Sequence, residues 1–168
     1  YSSSEDLFCP GYFEMPMKKG ESVVFAAGLS EIKCNQLKRI MDKESVEMEP
    51  MTSFYACLFH AAHQFHLAKG GEDYIIAGYP WFKCRARDFF IAMPGLTLTV
   101  GDVKRYEEYM QTAEKALRHF MAGEPLGVEV FEMDKPDVLL WATWCIQQYS
   151  KTFSRKDCYQ KYGKLYED

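Results

Sequence analysis

The densest gathering of side chains able to recognise or react is Ala77-Gly78-Tyr79-Pro80-Trp81-Phe82-Lys83-Cys84-Arg85-Ala86-Arg87-Asp88. Its glycine and proline read as a loop, yet it holds three large aromatics, two arginines and one carboxylate. Aromatic rings on a loop are costly in water unless something covers them, so the segment is either a binding surface or a buried connection. The Arg87 guanidinium offers donors and the Asp88 carboxylate an acceptor, and the two could equally pair with each other. Asp88 also stands where a helix would start, and capping that helix is its alternative role.

A second group, Asp137 with Trp141, opens the apolar run 138–149. From its apolar surroundings Trp141 reads as core. His60, His63 and His66 form an H-x-x-H-x-x-H run. Steps of three turn about 60° around a helix, so the outer two rings diverge by about 120°. That suits a stripe more than three ligands on one ion, and H-E-x-x-H is absent; no metal is expected, and no cofactor. Six cysteines include no C-x-x-C pair, against a zinc ribbon or redox motif. They are expected to be reduced, with Cys57 and Cys145 as small buried hydrophobes in helices.

The elements that would position these groups are mostly helices. Ser30 can cap a helix from 31 to about 43, with Leu37, Ile40 and Met41 on one face. Thr52 or Ser53 can cap a second to about Ala68, stopped by Gly70-Gly71. Asp102 caps the clearest one, ending at Gly123, whose Val103, Tyr106, Met110, Ala113, Leu117 and Phe120 make one apolar stripe. The runs 89–100 and 138–149 are apolar nearly all round and are expected to be buried on every side. Pro94-Gly95 should kink the first or open a new helix there. A further short helix fits 154–166. The first thirty residues differ: 11–17 and 22–27 are strand-like, joined by Lys18-Lys19-Gly20-Glu21 as a hairpin turn. Such a hairpin is marginal alone, so it is expected to belong to a larger sheet.

The 168 residues are 48% hydrophobic and 26% charged, a globular balance. A net charge of −4 argues against nucleic acid as partner, and no apolar run approaches the roughly 20 residues that span a bilayer. Residues 1–6 carry no signal-peptide pattern. Position 1 is not Met, so the native start is expected upstream. Aromatics make up 15% of the chain, which fits a bulky core or a carbohydrate cleft.

The pattern Ala77-Gly78-Tyr79-Pro80-Trp81-Phe82 followed by Arg87-Asp88 resembles the A-G-Y-P-W-F…G-R-D signature of bacterial and archaeal glycogen debranching enzymes, in their amylo-α-1,6-glucosidase domain. Phe89-Phe90-Ile91-Ala92-Met93-Pro94-Gly95-Leu96 is similar to that family's I-A-L-P-G-L helix, and Asp137-Val138-Leu139-Leu140-Trp141 to its D-x-x-L-W helix. Arg85-Ala86 departs from the usual Trp-Gly, and 123–127 from a G-L-I-P-N loop. The resemblance implies a mainly α fold that is part of an (α/α)6 barrel. Residues 1–30 would be the β-hairpin remnant ending a preceding β domain, and 31–168 the first part of the helical glucosidase domain. It implies removal of α-1,6-linked glucose from a glycogen-like α-glucan by inversion, in the cytoplasm. Tyr79, Trp81, Phe82, Arg87, Asp88, Asp137 and Trp141 would bind substrate, and the catalytic acid and base would lie beyond Asp168. The alternative is a non-catalytic α-glucan-binding or scaffold protein on the same fold. Incomplete layers would expose helices 89–100 and 138–149 and favour self-association.

Overall fold

The computed structural model describes residues 6–47, 51–79 and 82–168, with 44–47 given by backbone alone. Trp81 therefore lies outside the described residues. The chain divides into two units, Tyr1–Glu49 and Pro50–Asp168.

In the first unit the chain turns at Lys18–Glu21, where the Glu21 N–H donates to the Lys18 carbonyl at 3.0 Å. The turn brings the Phe13 and Phe25 rings edge to face, 5.1 Å apart. The segments 11–17 and 22–27 nonetheless form no ladder, which corrects the expected β-hairpin remnant. A two-stranded ribbon without a third strand or a cover buries too little to hold its backbone pairs, and no described side chain of this unit is buried. Helix α1 (Cys34–Glu47) starts four residues after Ser30, so Ser30 does not cap it.

The second unit begins with α2 (Phe54–His63), whose Ser53 hydroxyl accepts from the Ala56 N–H, as an N-cap should. This helix is shorter than the apolar pattern suggested. Strands β1 (His66–Lys69) and β2 (Glu72–Ile75) follow, antiparallel, with His66 opposite Ile75 and Lys69 opposite Glu72. Gly70 and Gly71 take φ of 64° and 83°. They make the two-residue turn that only residues tolerant of positive φ can form, where a helix stop was expected. Thr112 anchors the hairpin tip: its hydroxyl accepts from the Asp73 N–H and donates to the Glu72 carboxylate.

Helix α3 (Ala86–Leu96) runs through Pro94 and neither stops nor restarts there. It ends two residues later, where the buried Thr97 hydroxyl donates to the Met93 carbonyl and a 3-10 turn, Leu98–Val100, takes over. Asp102 caps α4 (Val103–Ala122) by accepting from the Arg105 N–H, and Gly123 closes it at φ 68°. Helices α5 (Val138–Thr152) and α6 (Arg155–Glu167) complete the unit, the latter capped by Ser154.

The domain is mainly helical, with this one small sheet among the described residues. Arg87 meets Asp137 where α3 and α5 begin, and the Cys145 thiol donates to the Met93 sulfur at 3.5 Å further along both. The two helices are therefore parallel neighbours. Phe89, Phe90 and Met93 from α3 join Tyr106, Tyr109 and Met110 from α4 and Val138 and Cys145 from α5 in one buried core. Tyr106 stacks on Tyr149 at 5.4 Å and donates its hydroxyl to the Cys145 carbonyl. The runs expected to be buried all round are not: Leu140 is 72% exposed, Leu139 47% and Ile91 38%. Cys57 is likewise exposed, while Cys145 is buried as its surroundings implied.

Truncating Phe89, which is fully buried against Phe90 and Tyr109, should cost about 3–5 kcal/mol in urea denaturation. Leu140→Ala, on the open side of α5, should change stability by less than about 0.5 kcal/mol. A Leu140 effect as large as that of Phe89 would mean that this side is covered.

Candidate functional site

Arg85 precedes α3 in extended conformation. It is held there by a single parallel bridge to Phe131: the Ala86 N–H donates to the Phe131 carbonyl and the Phe131 N–H to the Cys84 carbonyl, both at 2.9 Å. This bridge fixes where α3 starts and which way Arg87, one residue into the helix, projects. On the other side, Lys135 accepts from the Val138 N–H, which sets the start of α5 beside Asp137.

Arg87 and Asp137 meet in a two-point fork. Arg87 Nη2 donates to Asp137 Oδ1 at 2.9 Å, and Nε lies 2.8 Å from Oδ2. The indole N–H of Trp141 donates to the same Oδ2 at 3.1 Å. Hydrogen bonding from Arg87, opposed by partial burial and assisted by Trp141, holds the Asp137 carboxyl below the usual carboxylate range. The same bonds push the Arg87 guanidinium up. At neutral pH this carboxylate is an acceptor only, with three donors already on it.

The remaining expected site residues are placed differently. Arg87 pairs with Asp137 and not with Asp88. The Asp88 carboxylate, in the first turn of α3, is half-buried and has no hydrogen bond among the described residues. Arg85, not Asp88, occupies the N-cap position. Tyr79 and Phe82 are exposed and line a separate pocket of about 320 Å³, together with Leu67, Tyr74, Ile76 and Phe131. The loop closes on itself there: the Phe82 N–H donates to the Gly78 carbonyl, and the Phe82 ring lies where a Cβ on residue 78 would be, 2.6 Å from it. Arg85 connects the two groups, lying 5.4 Å over the Phe82 ring and 3.6 Å from the Glu132 carboxylate. A larger cavity of about 470 Å³ lies between α5 and α6, away from both motifs.

Two contributors went unnoticed in the sequence. Phe131 carries the bridge and takes the Lys83 ammonium over its ring at 4.6 Å. Glu132 pairs with Arg85 at a positive φ of 61°. Their signal was the alternation Val128-Glu129-Val130 running into Phe131, a strand-like stretch. His66, third of the histidine run, sits on β1, shares a hydrogen bond with the Tyr109 hydroxyl and stacks on its ring. Among the described residues no group of three or more His, Cys, Asp or Glu could hold a metal ion.

Residues 52–167 match a protein-family model described as amylo-α-1,6-glucosidase. The chain belongs to the amylo-α-1,6-glucosidase family. The match opens one residue before the cap of α2 and closes at the last residue of α6. It therefore takes in both parts of the Arg87–Asp137–Trp141 cluster and the loop that carries Tyr79 and Phe82. No curated protein and no solved structure matches the chain. Within this glucosidase domain the thiol nearest the loop, Cys84, is pushed up to about 12 by burial, so it is no nucleophile at neutral pH.

Burial first, then the charges of Arg105 and His63, lower His66 to about 4. Its folded value lies below that of the unfolded chain, about 6.5. Protonation thus favours unfolding: the His66 contribution is complete above pH 6.5 and is lost as the pH falls towards 4. Urea denaturation across pH 4–7 should show that slope, and His66→Phe, which keeps the stack on Tyr109, should flatten it. An unchanged slope in the variant would assign the titration elsewhere.

Proposed function

We propose that this chain supplies the glucose-recognising part of an enzyme that hydrolyses α-1,6-linked glucose at branch points of a glycogen-like α-glucan. The observation that carries the reading is the Arg87–Asp137–Trp141 cluster, which joins two segments fifty residues apart inside a match to the amylo-α-1,6-glucosidase family. Asp137 and Trp141 hold Arg87 in one orientation. The remaining guanidinium N–H groups then donate to hydroxyls of the terminal glucose, and the free Asp88 carboxylate accepts from them. Tyr79, Trp81 and Phe82 form the aromatic wall beside that sugar.

Inversion uses one carboxylic acid to protonate the glycosidic oxygen and one carboxylate to activate water, about 6.5–9.5 Å apart. Asp137 is unsuited to the acid, because Arg87 keeps it ionised. We assign acid and base to carboxyl groups outside residues 1–168, in a helical domain of (α/α)6 type. The parallel pair α3 and α5, with α4 packed on α3 between them in sequence, is compatible with such a barrel. Residues 1–30 would then end a preceding β domain. Six unpaired thiols support a reducing, cytoplasmic setting, and no helix among the described residues is long and apolar enough to cross a membrane. The exposed Leu139 and Leu140 support self-association.

A second reading, a non-catalytic α-glucan-binding or scaffold protein, is favoured by Arg85. Its guanidinium covers one face of Phe82 that a sugar would otherwise stack on. Glucose release from a phosphorylase limit dextrin by the natural protein separates the two. Release is expected, and Asp88→Asn should lower it by about 10- to 100-fold, the loss of a charged hydrogen bond in a water-poor cleft. Binding of the dextrin without any release would leave the scaffold reading.

A further inference from the structure

On helix α5 a line of residues continues the second motif beyond Trp141. Asp137, Trp141, Trp144 and Gln148 are spaced four, three and four apart. On a helix of 3.6 residues per turn they fall within about 60° of arc, along about 16 Å of axis. The core residues Val138, Ala142, Cys145 and Tyr149 lie to one side of this line. The line therefore starts at the cluster on Arg87 and runs away from it along α5.

Beyond Trp141 the polar groups of that line find no partner among the described residues. The Trp141 N–H is used by Asp137. Trp144 sets its ring edge-on to Trp141 at 5.6 Å and 84°, half-buried. Its own indole N–H has no acceptor among the described residues and is not shut off from solvent. One turn on, the Gln148 side-chain nitrogen is buried and has no partner among the described residues. A buried donor without an acceptor costs free energy, and a native fold keeps such a group where something else arrives to meet it. Between Asp137 and Gln148 this line carries no lysine, arginine or carboxylate, and Lys151 stands one turn beyond Gln148 at its far end, so the stretch between them suits a neutral ligand with flat apolar faces and many hydroxyls.

We propose that Trp144 and Gln148 form an extended subsite for the glucan chain adjoining the glucose held at Arg87 and Asp88. Trp144 stacks on a ring of that chain while its N–H donates to a hydroxyl, and Gln148 binds one ring further along. Trp141 stays fixed on Asp137, so the subsite recognises chain length and leaves the terminal sugar to the cluster. This inference rests on the glucan-binding reading above.

Isothermal titration calorimetry of the intact chain with maltose and maltotetraose tests it, using Trp144→Ala, Trp144→Phe, Gln148→Leu and, as a control, Arg87→Ala. Wild type should bind maltotetraose more tightly than maltose. Trp144→Ala should weaken maltotetraose by about ten-fold with maltose unchanged, Trp144→Phe should restore most of the loss, and Gln148→Leu should cost a few-fold. Arg87→Ala should weaken both sugars. If it does so while Trp144→Ala leaves maltotetraose unaffected, the subsite is refuted and the glucan-binding reading stands. An equal loss for both sugars in Trp144→Ala, with a lowered Tm, would make Trp144 a packing residue and overturn the subsite as well. Wild type binding neither sugar would remove the reading and the subsite together.

Discussion

The parallel packing of α3 on α5 is the constraint on which the candidate site depends. Phe89, Phe90 and Met93 on one helix and Val138, Ala142 and Cys145 on the other belong to one buried core, and each large apolar side chain so buried contributes about 1.5–3 kcal/mol. The fork between Arg87 and Asp137 is solvent-exposed by comparison, with half of the Arg87 side chain in water. Exposed ion pairs add little to stability. The core brings the two helix starts together, and the fork only orients what arrives there.

Both α3 and α5 present their N-terminal ends at the cluster, where unpaired backbone N–H groups give a partial positive charge. Asp88 sits in the first turn of α3 and Asp137 at the start of α5, so the two carboxyl groups share one end of the helix pair. Arg87 neutralises one of the two. The other remains free to bind, which is an economical way to hold one anionic acceptor and one cationic donor side by side. The small sheet supports this arrangement from behind: Tyr74 on β2 accepts from the Glu129 N–H, which steadies the stretch leading to the Phe131 bridge.

Much of this was legible in the sequence where the signal is local. The cap at Asp102, the choice of Thr52 or Ser53 as cap of α2, and the stripe of α4 follow from side-chain types a few residues apart, and the structure has Asp102, Ser53 and the stripe. The motif around Arg87 and the one around Asp137 were each recognisable by themselves. That Arg87 binds Asp137 was not, because nothing in spacing reports a contact across fifty residues. The hairpin was missed for another reason. His66-Leu67-Ala68-Lys69 continues the helical run of α2 in composition, and Gly70-Gly71 serves equally as a helix stop or a two-residue turn; the partner strand and Thr112 decide. The opposite error fell on residues 11–27, where alternation promised strands that no neighbouring sheet supports. For α5 an apolar circumference overstated burial, since Leu139 and Leu140 stay open to solvent.

The central claim is that Arg87 and Asp137 act as one unit in recognising the terminal sugar. A double-mutant cycle on maltose affinity measures this directly, with Arg87→Ala, Asp137→Ala and the pair together. Members of one network couple strongly, so the double variant should bind no worse than the poorer single variant. Losses that simply add would mean that the two residues contact the sugar independently, or not at all, and would contradict the account.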